Sequence, residues 1–327
     1  MTTYDKIPVD RIVYGIVLND LSQVMQNDIF LSGWVLSKAT LDEISECRKL
    51  LNKYGAIGYI DQPRQELSIT RSGSGLSLDP ITDMSKWRYS VIRPTSQTEL
   101  NGDQLAEALL LSDANICVEL WCAKKSSASD GPDQSIGGSP LHCAQYLFKA
   151  PLDECLFNFD ESHLMDVVSL RAKFSDATYP SIIKAFQMFR VLDIIPSSPM
   201  KMLGYFSVVE SLLSHAPTAN DSADSISRQL KRNLILLNNR MCSGRTLDFD
   251  VFENTDPEKV ISMLYAYRSA IAHGGDIQSK IKSLTDKLIN GKNVNLSLWI
   301  EAYLRQMVKR VLVQALREPQ LVIDLKG

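Results

Sequence analysis

Apolar residues change their spacing halfway along this chain, and few folds accommodate the change. Up to about residue 150 they come in short β-branched runs; beyond about 160 they recur every three or four positions. Short runs suit buried strands, whereas a 3.6-residue period suits helices with one buried face. Neither a lone sheet nor a lone bundle satisfies both. The pattern therefore predicts an α+β protein, with a mixed α/β domain followed by an all-α helical bundle. The 327 residues also exceed what one core usually serves. We place the division near 151–160, giving a first domain over 1–155 and a helical domain over 156–327.

Within the first domain, residues 11–18 (RIVYGIVL), 29–36, 56–60, 67–70, 87–92, 116–122 and 143–148 read as strands. Thr40 opens a helix, with Glu43 at capping-box spacing and Ile44, Cys47 and Leu51 along one face. Gly55 marks its end. A short helix over 103–111 precedes the strand at 116. Residues 124–140 (KKSSASDGPDQSIGGSP) are rich in Ser, Gly and Pro and read as a long mobile loop inside this domain. Gly73-Ser74-Gly75 reads as a turn, because a dinucleotide fingerprint needs a third glycine and a following helix.

The second domain reads as helices over 164–174 and 179–195, then one opened by Ser198 as cap and Pro199 at the first position. Met202, Tyr205, Phe206, Val209, Leu212 and Leu213 form its buried stripe. Ile226, Leu230, Leu234 and Leu237 form the next. Asp256 caps a helix whose Val260, Leu264, Tyr267 and Ile271 face the core, and residues 296–316 make the last.

Composition narrows the function classes. A formal net charge of −3 argues against a large basic footprint on duplex nucleic acid. The six cysteines, at 47, 117, 122, 143, 155 and 242, include no C-x-x-C pair, and the four histidines complete no zinc set. No metal or cofactor is expected. The cysteines read as reduced thiols of a cytoplasmic protein, with Cys117 and Cys122 on opposite sides of a strand. No apolar run is long enough for a membrane span, and the N-terminus has no signal-peptide pattern.

One hexapeptide carries chemistry. Arg268-Ser269-Ala270-Ile271-Ala272-His273 ends a helix at Gly274-Gly275. Cutting RNA beside its 2′-hydroxyl needs a base that works near neutral pH and a cation on the developing phosphorane charge, and His and Arg supply these. The two side chains are five positions apart, about 140° around a helix, so one helix alone makes a poor active site. A two-fold dimer would bring one Arg and one His from each chain around a shared cleft. Glu210, at the edge of an apolar stripe, needs a cation or hydrogen-bond donors, and Arg268 is the preferred partner. Arg228, Lys231 and Arg232 form a small basic stripe. It reads either as a phosphate track for single-stranded RNA or as the solvated face of an amphipathic helix. Tyr265 reads as a candidate base-stacking residue, and Tyr267 as core.

These segments, FSVVESLL at 206–213 and LYAYRSAIAHG at 264–274, resemble the HEPN superfamily, most closely its Apea-like branch. The likeness runs from about 199 to 275 and leaves the first domain unassigned. It implies a four-helix core with an Arg-x4–6-His motif on the last core helix. It also implies a metal-independent endoribonuclease acting as a homodimer, often as a toxin or antiphage-defence effector with a protein trigger or antitoxin. Arg268 and His273 would be catalytic, with Ser269 and Glu210 supporting. Many active members carry Asn, Asp or His directly after the Arg, and here that position is Ser269. Other members lack catalysis and serve as modules for dimerisation and for protein or nucleotide binding, which is the alternative reading for this chain.

Overall fold

A computed structural model describes residues 10, 12–18, 20–22, 24–55, 64–72, 75–114, 116–124, 134–138, 159–195, 198–217, 225–253, 255–286 and 296–326. The protein is α+β, with a strand-rich first part and a helical second part. Two compact units divide between Lys173 and Phe174.

The first unit holds a six-stranded antiparallel sheet in the order β2-β3-β6-β1-β7-β8. Its strands are β1 (Ile12–Val17), β2 (Ile29–Leu31), β3 (Trp34–Lys38), β6 (Ser90–Pro94), β7 (Val118–Lys124) and β8 (Gln134–Gly138), while β4 (Leu67–Ser72) and β5 (Gly75–Pro80) form a separate hairpin. Helix α1 (Leu41–Gly55) covers one face: its Ile44 and Cys47 join Tyr14 and Ile16 of β1, Val91 of β6, and Leu120 and Cys122 of β7 in one core. The expected capping box starts the helix, since Glu43 N–H donates to Thr40 Oγ1 at 3.3 Å and Thr40 N–H donates to Glu43 Oε2 at 2.8 Å.

On the other face Trp34 and Trp121 meet at 5.5 Å between ring centroids. A side chain at Gly15 would put its Cβ 2.6 Å from the Trp121 ring, so the indole can lie across β1 only because that residue is glycine. Helix α2 (Gly102–Leu111) packs against β7 on this face, started by a capping box between Asn101 and Gln104. Helix α3 (Glu161–Lys173) packs on α2. Arg171, 1% exposed, donates from Nε and Nη2 to Glu107 Oε2 at 3.1 and 2.9 Å.

Several expectations for this half change. The single strand over 29–36 is a hairpin, because Ser32 and Gly33 both take positive φ (43° and 87°), the backbone of a tight hairpin turn. The Ser/Gly/Pro stretch is not loop throughout: β8 lies within it and pairs with β7. Cys117 and Cys122 share one core instead of facing apart. The ladder slips between Ile16 and Val17, where Glu119 is skipped, and that bulge reverses the side-chain alternation. The helix placed at 164–174 belongs with the sheet unit, so the break between units falls later than 155. The strands expected at 56–60 and 143–148 lie outside the described residues.

The second unit contains α4 (Pro180–Ile194), α5 (Pro199–Leu213), α6 (Ile226–Asn238), α7 (Pro257–His273), α8 (Ile277–Thr285), α9 (Leu296–Arg317) and α10 (Pro319–Lys326). Ser198 caps α5 and Asp256 caps α7, each with Pro at the first helical positions. Helix α5 touches α4, α6, α7, α9 and α10, which explains why its stripe from Met202 to Leu213 is buried. Several polar groups inside the bundle are matched. Lys201 Nζ lies 2.8 Å from Glu301 Oε1, and the Tyr267 hydroxyl donates to Met202 Sδ at 2.7 Å. Asn233, 0% exposed, donates from Nδ2 to the carbonyls of Leu213 and Leu325, both at 2.7 Å. Ile271 is only half-buried.

Candidate functional site

Helix α7 carries the Arg-His pair. It runs to His273 and stops because Gly274 adopts a left-handed conformation (φ 68°), turning its N–H back to Ala270 O. Gly275 N–H reaches the same carbonyl at 2.8 Å. His273 is therefore the last helical residue, and it is exposed.

Arg268 lies between that exposed end and the buried stripe of Leu264 and Tyr267. Its guanidinium faces Glu210 on α5. Nη2–H donates to Glu210 Oε2 at 3.2 Å. Nε sits 3.1 Å from Oε1 but is misaligned for a hydrogen bond, which leaves both atoms buried and unbonded. The carboxylate thus grips the guanidinium from its Nε side, with Arg268 23% and Glu210 15% exposed. The Tyr265 ring lies one helical turn before, 5.7 Å from Arg268 Cζ. Burial raises the pKa of the Tyr265 hydroxyl, the Glu210 charge adds to the rise, and Arg268 opposes it. That hydroxyl stays neutral at physiological pH.

Among the described residues, Glu210 and the Tyr265 ring are the only partners of Arg268. Among the described residues the Nη1 end of the fork has no acceptor, so an oxyanion can dock there with the guanidinium already oriented.

The expected pairing of Glu210 with Arg268 is present. Arg268 and His273 do not converge within one chain: one turns to α5 and the other to solvent. Ser269 is half-buried and makes no side-chain hydrogen bond among the described residues. Tyr265 has the guanidinium over its ring, which is a different use from stacking on a base; the three-residue spacing was the available signal. Arg228 and Arg232 lie on the exposed side of α6, opposite buried Leu230 and Leu234, with Lys231 half-buried between them. Arg232 Nε donates to Asn233 Oδ1 at 3.1 Å, and no contact links this stripe to Arg268 among the described residues.

Cysteines 47, 117, 122 and 242 are free. Burial pushes the Cys122 thiol up to about 11 and raises the Cys47 thiol further, which makes both inert. No group of acidic, His or Cys side chains that could hold a metal occurs among the described residues. No described helix is long and apolar enough to cross a membrane. No known family model, curated protein or solved structure matches the chain.

Proposed function

We propose that the helical unit is a metal-independent endoribonuclease of HEPN type, working as a homodimer on single-stranded RNA. The observation that carries this reading is the Arg268 fork. Its Nε side is held by Glu210 and its Nη1 end is uncommitted among the described residues, on the same glycine-terminated helix as an exposed His273. The spacing of the two residues supports a site completed by a second copy of α7.

In the reaction, one His273 imidazole removes the proton from a 2′-hydroxyl. The 2′-oxygen bonds to the adjacent phosphorus, and the negative charge on the five-coordinate centre is met by Arg268. The bond from phosphorus to the 5′-oxygen then breaks. That oxygen takes its proton from the partner's imidazolium, leaving a 2′,3′-cyclic phosphate and a 5′-hydroxyl. Glu210 and the Tyr265 ring hold the guanidinium in place.

The test is incubation of the purified chain with mixed single-stranded RNA in EDTA, beside Arg268→Ala. Cleavage by the wild type alone, with cyclic phosphate ends, supports the enzyme. An intact RNA pool in both samples leaves the non-catalytic dimerisation module as the better account. An effector of the toxin or antiphage kind would slow growth when expressed in a bacterial host, and His273→Ala would relieve it.

A further inference from the structure

The sheet unit holds an arginine in much the way that the helical unit holds Arg268, on residues the proposed reaction does not use. We infer that Arg48 of α1, with Glu66 and Trp87 behind it, is a phosphate-binding site of the sheet unit, taking the dianionic phosphate group of a monoester or of free phosphate.

The guanidinium is fixed from behind. Glu66, just before β4, is 2% exposed, and its Oε1 lies 3.2 Å from Arg48 Nε. That oxygen also accepts from the Tyr89 hydroxyl at 2.8 Å, and the Glu66 carbonyl accepts from Ile81 N–H at 2.7 Å, so the residue is anchored at side chain and backbone. On its flat side the guanidinium meets the Trp87 ring, with Cζ 4.8 Å from the ring centroid. The indole is fixed in turn, since its Nε1–H donates to Ile81 O at 2.7 Å.

The front is open. Nε is shielded from solvent, yet the Arg48 side chain as a whole is 41% exposed. Among the described residues Glu66 and the Trp87 ring are its only partners, and neither Nη is sealed off or bonded. As a bridge between α1 and β4 the pair is poorly made, because Nε forms no hydrogen bond to the oxygen beside it. As a mount for an outward-facing fork it is well made: one side braced, one face stacked, two parallel N–H groups unspent.

Charge selects the ligand. A docked oxyanion lies nearer to the guanidinium than to Glu66, so attraction exceeds repulsion and the difference grows with ligand charge. Burial raises the Glu66 pKa against the pull of Tyr89 and Arg48, and any proton it takes up leaves the guanidinium less offset. A phosphate monoester above its second pKa of about 6 offers the fork two oxygens and nearly two charges. A carboxylate offers two oxygens and one charge, so the dianion is held more tightly.

The test adds inorganic phosphate to the full chain at about pH 8, where it carries close to two charges. The Nε–H resonance of Arg48, assigned through bonds, is followed together with the Trp87 indole N–H. Both are expected to shift and saturate with a Kd on the order of 1 mM, as suits one fork on one anion. Acetate should bind several-fold more weakly. Adenosine 5′-phosphate separates the two sources: tighter binding than inorganic phosphate identifies a monoester as the ligand, and equal binding identifies phosphate itself. In Arg48→Lys, which keeps the charge and loses the fork, the Trp87 resonance should stop responding. No response of the wild-type resonances at about ten times that concentration overturns the inference without any variant. So does acetate held as tightly as phosphate, or a Trp87 response that survives in Arg48→Lys. RNA cleavage is read at no step, so the result is independent of the nuclease reading.

Discussion

His273 and Arg268 stand at the same helix end yet have opposite relations to the fold. His273 is exposed at a glycine stop, so His273→Ala is expected to reduce RNA cleavage by about 10²–10⁴-fold. Its unfolding free energy should move by less than about 0.5 kcal/mol. Urea unfolding beside a cleavage assay checks this, and a large loss of stability would show the imidazole to be structural. Arg268→Ala differs: it strands the Glu210 carboxylate at 15% exposure. We expect a loss of about 1–3 kcal/mol as well as of activity. Most of that stability should return in the double variant Arg268→Ala/Glu210→Ala, because the unpaired charge is then gone.

Helix α1 illustrates how an element is tied down by ionisable groups of opposite sign in pH. Glu43 is pulled both ways. Burial works to raise its pKa, but hydrogen bonds from Arg93 and Thr40 outweigh it and lower the value. The stability it adds is therefore present above the ordinary glutamate range and lost as pH falls through the lowered folded value. Glu43→Gln should cost about 1 kcal/mol at neutral pH, with the difference vanishing in acid. Glu66 behaves in reverse. It accepts from the Tyr89 hydroxyl at 2.8 Å and lies 3.2 Å from Arg48 on α1, yet burial dominates and raises its pKa. Its contribution is largest below the ordinary range and declines as pH rises through the raised folded value. Glu66→Gln should therefore gain on the wild type as pH rises from about 4 towards neutrality. Urea titrations across that range measure both slopes, and a wild-type advantage that grew with pH would contradict the second. In the helical unit, Asn233→Leu should cost about 2–4 kcal/mol, since two buried carbonyls lose their donor.

For the whole molecule, the dimer reading makes a prediction that no single-chain site shares. Arg268→Ala and His273→Ala are each expected to be inactive, but mixing them should restore a small part of the activity, because a mixed dimer holds one guanidinium and one imidazole from different chains, with water in place of the second imidazole as acid. Specific activity should also rise with protein concentration until dimers saturate. What sequence alone determined was the local part. The change of hydrophobic period, the Thr40–Glu43, Ser198-Pro199 and Asp256-Pro257 starts and the Gly274 stop all follow from backbone and capping chemistry within a few residues. Helix α8, by contrast, carries its own cap at Asp276 and buries Ile281 and Leu284, yet its nine residues are too short for a periodic pattern to stand out. Tertiary structure decided the rest. It set the bulge that turned Cys117 inward, the pairing of β8 from a stretch that reads as loop, and the packing of α3 with the sheet. It also decided that Tyr265 would underlie a guanidinium. Each of those outcomes depends on where a second element arrives, and a contact between segments far apart in the chain leaves no periodicity or capping signal at either one.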